Sequence, residues 1–307
     1  MRAVRIHRFG PPAVLVVEDI QQPVPGPGEV LVRVAATGVG PWDALIREGR
    51  SKISPAPPLT LGSDLSGVIE ALGPNVADFK RNDEVYGVTN PQFCGANADF
   101  AIASANMVAK KPKRLSHLEA ASAPVIAVTA WQMLFEHAQV AEKQRVLILG
   151  AGGNVGAYAV QLAAMKGLNI TAVVGSKDAE YARSLGAESV LDYQSGNFEE
   201  LISPVDAVID TVGGETRERA RRVVKRGGII VSVVSTDPIQ ERSGVRSVFF
   251  YVDVTTARLN AISKLFEDSI LLPHVGSVLL LGEARIAHEM LAGAPHNRGK
   301  IVLKAYA

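Results

Sequence analysis

The feature that most constrains the fold is a regular alternation of short apolar runs and helical segments in the second half of the chain. The runs "RVLIL", "NITAVVG", "SVLDY", "DAVIDTV" and "GGIIVSVVS" are predicted strands. Between them lie "GAYAVQLAAMKG", "DAEYARSLGA", "GNFEELIS" and "TRERARRVVKRG", which we interpret as helical. Continuous apolar strands separated by helices are typical of a parallel sheet covered on both faces. The sequence therefore predicts a doubly wound α/β domain here.

The flanking segments have a different character. The first third of the chain contains short predicted strands such as "EVLVRVAATGVG", "GSDLSGVIEALG" and "NDEVYGV". A helical stretch, "LSHLEAASAPVIAVTAWQMLFEHAQV", follows with Ser116 as its predicted N-cap. The last segment has two helical patterns and a final strand, "GKIVLKAYA". Because 307 residues exceed most single cores, we expect the α/β domain to be inserted into a mostly β domain.

Composition restricts the classes of function. The net charge of +1 implies no bulk attraction to nucleic acid or to an anionic membrane. There is no apolar stretch of about 18 residues that would span a bilayer, and "MRAVRIHRFG" lacks the apolar core of a signal peptide. Cys94 is the only cysteine, so no intrachain disulfide forms. These observations predict a cytoplasmic protein.

A glycine-rich turn, "LGAGGNVG", joins the first of these strands to its helix. Gly150, Gly152, Gly153 and Gly156 remove side chains where the backbone has to approach something closely. Free amides at a helix N-terminus attract an anion such as a pyrophosphate. The turn therefore predicts a dinucleotide site, with the backbone amides of Gly153, Asn154 and Val155 as donors, although a glycine-rich turn without a ligand is the alternative.

The end of the next strand indicates which dinucleotide binds. An NAD site places an acidic residue there, whereas this strand ends in Gly175, Ser176 and Lys177. A hydroxyl and an ammonium suit a 2′-phosphate, and Tyr193 at the end of the third strand could reach the same group. We therefore expect NADPH as the cofactor. A shifted register that brings Asp178 to the ribose is the alternative.

The carboxyl ends of the later strands predict further contacts, because ligands of such sheets lie at strand carboxyl ends. Thr211 and Val212 follow the fourth strand, and Val234 and Ser235 follow the fifth. We expect these residues near the ribose and nicotinamide.

Several segments occur together in one order: "GPPAVLVVEDIQQPVPGPGEVLVRVAATGVGPWDALIREG", "LGSDLSGVIEALGPNV", "VTAWQMLFE", the glycine turn, "VIDTVGG" and "GKIVL". This order resembles the medium-chain dehydrogenase/reductase superfamily, in its zinc-free quinone oxidoreductase-like branch. The resemblance implies a GroES-like substrate domain at 1–121, completed by 257–307, and a Rossmann NADP(H)-binding domain at 122–256. It also implies a nicotinamide bound in the cleft between them.

Zinc-dependent relatives carry a Cys where this chain has Gly40, and a "GHE" element where it has Gly62, Ser63 and Asp64. Their structural zinc lobe needs four cysteines. Since a catalytic zinc takes three protein ligands, we expect no metal here. Asp64 is interpreted as a structural residue that accepts backbone hydrogen bonds in a turn.

The resemblance also assigns residues beyond the turn. Thr129 is implied to pack on the nicotinamide, and the segment with Phe249 and Phe250 to close over it. The substrate positions are implied to be Pro41, Trp42, Ile46, Asn90 and Phe93. The aromatic rings of Trp42 and Phe93 suit a planar acceptor. No catalytic residue is assigned, and Cys94 is interpreted as an inert side chain rather than a reactive thiol.

Without a zinc ion to lower the pKa of an alcohol, hydride donation to an already electrophilic acceptor is the expected reaction. The predicted enzyme is an NADPH-dependent reductase of quinones or α,β-unsaturated carbonyls. A zinc-free enoyl-thioester reductase and a non-catalytic NADPH sensor or adaptor are the alternatives. By analogy with relatives we expect a homodimer, with "VRSVFFYV" as a suitable apolar edge strand.

Overall fold

The computed structural model describes residues 1–234 and 244–305. In chain order the strands are β1 (Arg2–Ile6), β2 (Val16–Asp19), β3 (Glu29–Val39), β4 (Leu59–Thr60), β5 (Asp64–Leu72), β6 (Glu84–Val88), β7 (Phe100–Ser104), β8 (Val108–Lys110), β9 (Arg145–Leu149), β10 (Asn169–Val174), β11 (Ser189–Asp192), β12 (Val205–Asp210), β13 (Val224–Ser232), β14 (Arg246–Phe249), β15 (Val275–Leu280) and β16 (Lys300–Lys304). The α-helices are α1 (Pro41–Arg47), α2 (His117–Ala121), α3 (Pro124–Trp131), α4 (Asn154–Met165), α5 (Ala179–Ser184), α6 (Gly214–Arg221), α7 (Thr256–Glu267) and α8 (Ala284–Leu291).

The chain divides into two compact units. Unit 1 comprises Met1–Val125 and Val254–Ala307, and unit 2 comprises Ile126–Asp253. Both ends of the chain therefore belong to unit 1, and unit 2 is inserted between its two parts. The functional domain limits given above, 122–256 and its complement, stay a prediction.

Unit 2 is built on one parallel sheet with the strand order β11-β10-β9-β12-β13-β14. Its central strands are continuously apolar because both faces are covered, and Leu147, Leu149, Val208 and Ile230 are fully buried. The strand order reverses direction at β9, with β10 on one side and β12 on the other. In such sheets ligands bind at the carboxyl ends of the strands beside this reversal.

Unit 1 is mostly β. One sheet has the order β2-β1-β4, and a second has the order β15-β16-β3-β5-β6-β8, with β7 also paired to β3. Its core lies on β3, β5 and β6, where Val30, Val32, Leu65, Ile69 and Val85 are buried. The predicted fold class, a doubly wound parallel sheet inserted into a mostly β domain, is confirmed.

Two local predictions differ from the structure. The helical stretch after Ser116 is broken into α2, α3 and a π-helical turn at Gln132–His137, because Pro124 cannot continue α2. Ser116 is the N-cap as predicted, and it also forms a capping box with Glu119. "GNFEELIS" forms only a 3-10 turn at Phe198–Leu201.

The other differences concern long-range pairing. The stretch "TRERARRVVKRG" is helical only to Arg221, because Val224 pairs with Val205 and starts β13 early. β15 was not predicted, and it pairs in parallel with β16. Neither pairing has a local sequence signal.

Candidate functional site

The glycine-rich turn of unit 2 joins β9 to α4. Gly150 has φ +76°, a left-handed conformation that favours glycine, and its amide donates to the carbonyl of Val173 at 3.0 Å. Gly153 is the N-cap of α4, and its amide donates to the carbonyl of Gly150 at 2.9 Å. The amide of Gly153 is thus engaged within the turn, which corrects its predicted role as a free donor. Asn154 and Val155 remain the predicted amide donors.

The turn is tightly packed at Gly156 and exposed at Gly153. A Cβ on Gly156 would overlap the carbonyl oxygen of Gly150 and approach Cα of Ala151 to 2.8 Å. Gly153 is exposed, and Gly152, Asn154 and Val155 are half-buried. The first turn of a helix leaves amides that the helix itself does not satisfy, and the helix dipole adds a positive field there. The turn therefore presents the amides at the N-terminus of α4 beside the exposed Gly153, with the side chain of Asp178 against Gly152.

The predicted adenosine-phosphate residues lie at the ends of neighbouring strands. Gly175 follows β10, and Ser176 and Lys177 are exposed in a 3-10 turn. The register of β10 with β11 places Val174 beside Asp192, and Tyr193 follows directly with 44% of its surface exposed. The Tyr193 ring lies 3.6 Å from where a Cβ on Gly175 would stand. The structure thus brings Gly175 and Tyr193 together.

Asp178 lies beside the glycine turn. A Cβ on Gly152 would stand 2.6 Å from both Cβ and Oδ2 of Asp178. The carboxylate is therefore next to the turn rather than remote from it. This placement keeps open the alternative in which Asp178 meets a ribose.

The residues predicted at the later strand ends are partly engaged in structure. The hydroxyl of Thr211 donates to the carbonyl of Leu149 at 2.7 Å, which links the ends of β12 and β9. Val212 and Val234 are each 51% exposed. Ser235 lies outside the described residues.

Asp210 is a supporting residue that the sequence analysis missed. This fully buried carboxylate accepts hydrogen bonds from the amides of Val212 and Gly213, at 3.0 and 2.8 Å. Its other oxygen accepts from the hydroxyl of Ser232 at 2.7 Å, and Nε of Arg217 lies 3.8 Å away. Asp210 thereby fixes the loop after β12. The available signal was a single acidic residue ending an apolar strand, "AVID".

The remaining predicted nicotinamide residues are also in unit 2. Thr129 lies on α3 and is 5% exposed. Phe249 ends β14 and packs edge-on against Tyr251, while the ring of Phe250 lies 4.1 Å from that of His137. The π-helical turn carrying His137 thus contacts the segment after β14.

The predicted substrate residues belong to unit 1 and differ in accessibility. Pro41 is exposed and Trp42 is half-buried at the start of α1. Ile46 is 2% exposed, and its contact with a substrate stays a prediction.

The second group of predicted substrate residues forms a closed loop. The Asn90 side chain donates to the carbonyl of Cys94 at 2.8 Å and accepts from the amide of Gln92 at 3.0 Å. Phe93 is 9% exposed and has φ +57°, a left-handed conformation. Burial raises the pKa of the Cys94 thiol, which favours its protonated form. The Asn90 amide thus shapes this loop.

The positions of the zinc ligands of related dehydrogenases are occupied differently here. The Gly40 amide donates to Oδ2 of Asp43 at 2.8 Å. Asp64 forms a buried ion pair with Lys300 at 3.0 Å and accepts from the amide of Val125 at 3.0 Å. The hydrogen bond of Asp64 goes to the start of α3 rather than to its own turn.

Two searches of the described part of the chain gave negative results. Within residues 1–234 and 244–305, no group of three or more His, Cys, Asp or Glu side chains is arranged to hold a metal ion. No helix in those ranges has both the length and the apolarity needed to cross a bilayer.

Comparisons with known proteins agree with this architecture. Residues 26–120 match the family model of the alcohol dehydrogenase GroES-like domain, and residues 185–303 match the model described as zinc-binding dehydrogenase. Human quinone oxidoreductase is 31% identical over 322 residues, covering 99% of this chain and 97% of that protein. The structure of the quinone oxidoreductase from Coxiella burnetii superimposes with a TM-score of 0.92 at 31% identity, covering 100% of this chain and 99% of that chain.

A third relative matches over a shorter region. The human protein named NAD(P)H oxidoreductase RTN4IP1, mitochondrial, is 38% identical over 232 residues, which cover 68% of this chain. The matched region spans 59% of the length of that relative. From the whole set, the chain belongs to the medium-chain dehydrogenase/reductase superfamily, in its quinone oxidoreductase-like branch.

Proposed function

We propose that this chain is a nicotinamide-dependent oxidoreductase that prefers NADPH and reduces quinones or α,β-unsaturated carbonyls without zinc. The observation that carries the proposal is the open glycine turn at the N-terminus of α4. The amides at the N-terminus of α4, beside the exposed Gly153, suit the pyrophosphate of a dinucleotide. The names of the relatives, quinone oxidoreductase and NAD(P)H oxidoreductase, support the same class of reaction.

The preference for NADPH rests on the exposed end of β10. Ser176 supplies a hydroxyl and Lys177 an ammonium in the exposed turn after Gly175, and the ring of Tyr193 lies beside Gly175. A cation and a hydroxyl match the 2′-phosphate, whereas the 2′-hydroxyl of NADH gives the cation nothing to pair with. The carboxylate of Asp178 lies against Gly152 of the glycine turn.

Zinc independence rests on residue types. Gly40 has no donor atom in its side chain, and the carboxylate of Asp64 is paired with Lys300. No Lewis acid is thereby available to activate an alcohol, so the acceptor has to be electrophilic already.

When bound, the cofactor supplies the hydride. The chain's own residues bind and orient. The amides of Asn154 and Val155 would hold the pyrophosphate, and Thr211, Val212 and Val234 would border the ribose and nicotinamide. In unit 1, Trp42 would offer an aromatic surface to a planar acceptor. The described side chains provide no assigned proton donor.

The direct test follows NADPH absorbance with phenanthrenequinone and, separately, with an alkenal. Turnover of either acceptor by the metal-free protein is the expected result. Tight NADPH binding with neither acceptor reduced would favour a sensor or adaptor and refute the proposed reaction.

A matched pair of variants tests the phosphate contact. Lys177→Gln should raise the KM for NADPH about tenfold and leave that for NADH unchanged, since a hydrogen bond to a charged group is worth about 1.5–3 kcal/mol. Lys166→Gln, at the opposite end of α4, should change neither. Equal effects of Lys177→Gln on both cofactors would remove the basis for the NADPH assignment.

A further inference from the structure

Unit 1 contains a buried cation that the proposed reaction does not use. Lys300 is the first residue of β16 and is 1% exposed. Its ammonium lies 3.0 Å from Oδ2 of Asp64, which is fully buried, and 4.1 Å from the centroid of the Trp42 ring. An ammonium and a carboxylate removed from water carry a large desolvation penalty. Apolar residues of similar volume would often fill such a space at least as stably, so stability alone does not account for the pair.

The cluster fixes one aromatic side chain from three directions. The ammonium of Lys300 lies over the ring of Trp42. The indole N–H donates to the hydroxyl of Ser63 at 2.9 Å. The far edge of the ring packs on Gly40, where any Cβ would overlap it. These contacts leave Trp42 a single position while part of its surface stays exposed.

The ion pair also has a second anchor. Oδ1 of Asp64 accepts from the amide of Val125 at 3.0 Å, so the carboxylate that holds Lys300 is itself held by the start of α3. Asp64 begins β5 and Lys300 begins β16, on either side of β3. The position of the ammonium is therefore set by three separate segments of unit 1.

We propose that Lys300 is a positioning residue that, held by Asp64, fixes Trp42 as a rigid wall for a planar acceptor and so sets the affinity for that acceptor. This inference rests on the proposed function. A wall that is already fixed loses little conformational entropy on binding, so its rigidity contributes to affinity. The hydride step does not involve Lys300, so its loss should affect the KM for the acceptor more than kcat.

The main test is a cycle of variants in the full-length protein. The double variant Asp64→Asn with Lys300→Met removes both charges together, and the Asn oxygen still accepts from the amide of Val125. It should raise the KM for phenanthrenequinone about fivefold, because acceptor binding then has to order an indole that the ion pair no longer holds. The kcat and the KM for NADPH should change less than about twofold. Trp42→Leu should raise the acceptor KM by a similar factor. Combining Trp42→Leu with the double variant should raise the KM no further, because all three substitutions disrupt the same arrangement. Additive effects, or an unchanged acceptor KM, would overturn the proposal.

A milder variant guards against a folding failure. Ser63→Ala removes only the acceptor of the indole N–H, and should raise the acceptor KM several-fold with kcat unchanged. No rise in KM would count against the proposal even if the double variant did not fold.

Fluorescence separates this inference from the proposed function. The chain has two tryptophans, so Trp131→Phe leaves Trp42 as the only one. In that background, removing the ion pair should shift the emission to longer wavelength and increase quenching by acrylamide. If no acceptor is reduced by the unaltered protein, the proposed function fails, and the emission alone decides whether Lys300 positions Trp42. Unchanged emission and quenching would contradict the positioning role.

Discussion

His288 and Asp43 are buried ionisable residues whose titration opposes each other. Nδ1 of His288 accepts from Nη1 of Arg47 at 2.8 Å. Burial, and then the charge of Arg47, lower the pKa of His288 to about 3. Burial raises the pKa of Asp43 to about 7, against the hydrogen bond from Gly40. The folded chain therefore keeps His288 neutral and, below about pH 7, Asp43 protonated.

The sign of each contribution to stability follows from the unfolded values. Unfolded His288 takes up a proton below about pH 6.5 and the folded chain does not, so its contribution falls as the pH falls from 6.5 towards 3. Folded Asp43 holds a proton that the unfolded chain loses above about pH 3.8, so its contribution falls as the pH rises from 3.8 to 7. Between about pH 3.8 and 6.5 the two contributions change the free energy of unfolding in opposite directions, and their slopes cancel.

We predict that single variants reveal the hidden slopes. For Asp43→Asn, the free energy of unfolding should rise with pH between about pH 4 and 6.5, relative to the unaltered protein, by about 1.4 kcal/mol per pH unit. For His288→Asn it should fall by a similar amount over the same range. Denaturant unfolding at several pH values measures both. Parallel pH profiles for the two variants would show that the assigned protonation states are wrong.

Residue-level chemistry was predictable where it is local. The glycines of the β9–α4 turn and the Ser116 cap are set by neighbours in sequence. The Lys300–Asp64 pair joins residues 236 apart, and its signal is limited to a lysine that begins the last strand and an acid that begins another.

At the scale of elements, the β9–α4 turn separates two roles of glycine. Gly156 has no room for a side chain because the carbonyl of Gly150 lies against it. Gly153 has φ −82°, and a Cβ there would lie 3.3 Å from the same oxygen, a close contact that a small shift relieves. Gly156 is therefore required for packing, and Gly153 keeps the exposed face of the turn free of a side chain.

We predict different consequences for the two alanine variants. Gly156→Ala should lower the free energy of unfolding by about 1–3 kcal/mol, because the helix has to move away from the strand. Gly153→Ala should change it by less than about 1 kcal/mol but should weaken NADPH binding, because its methyl group faces the phosphates. Thermal unfolding and calorimetric titration measure the two effects. A stable Gly156→Ala protein, or unimpaired NADPH binding by Gly153→Ala, would contradict this division.

Elements of unit 2 were predictable because each has its own pattern. Apolar runs gave β9, β10 and β12, and period and capping gave α4. The errors arose where strand pairing determines the secondary structure. "VVKRG" is a strand because Val224 pairs with Val205, and β15 forms because it pairs with β16. Local sequence patterns do not identify the strand with which a segment pairs.

For the whole molecule, residues 185–303 match the family model described as zinc-binding dehydrogenase, whereas Gly40, outside that match, has no side-chain atom that could bind a metal. We predict that the purified protein contains zinc well below one equivalent and that a chelator leaves NADPH-dependent quinone reduction unchanged. Elemental analysis and an assay with and without chelator test this. Stoichiometric zinc, lost together with activity, would refute the zinc-independent reaction.

The order of segments along the chain revealed the two-part organisation, because the family pattern extends over nearly its whole length. Assembly is less accessible to sequence. β14 is an edge of the unit 2 sheet, paired with β13 among the described strands, and dimerisation through it stays a prediction, as does the cytoplasmic location.

The proposed NADPH-dependent reduction requires that the glycine turn binds the phosphates of a dinucleotide and that Lys177 selects the phosphorylated form. Calorimetric titration of the full chain with NADPH and with NADH tests it most directly. We predict one NADPH site per chain, with NADPH bound at least about tenfold more tightly than NADH, and with that difference lost in Lys177→Gln. Absence of binding by either nucleotide would contradict the account.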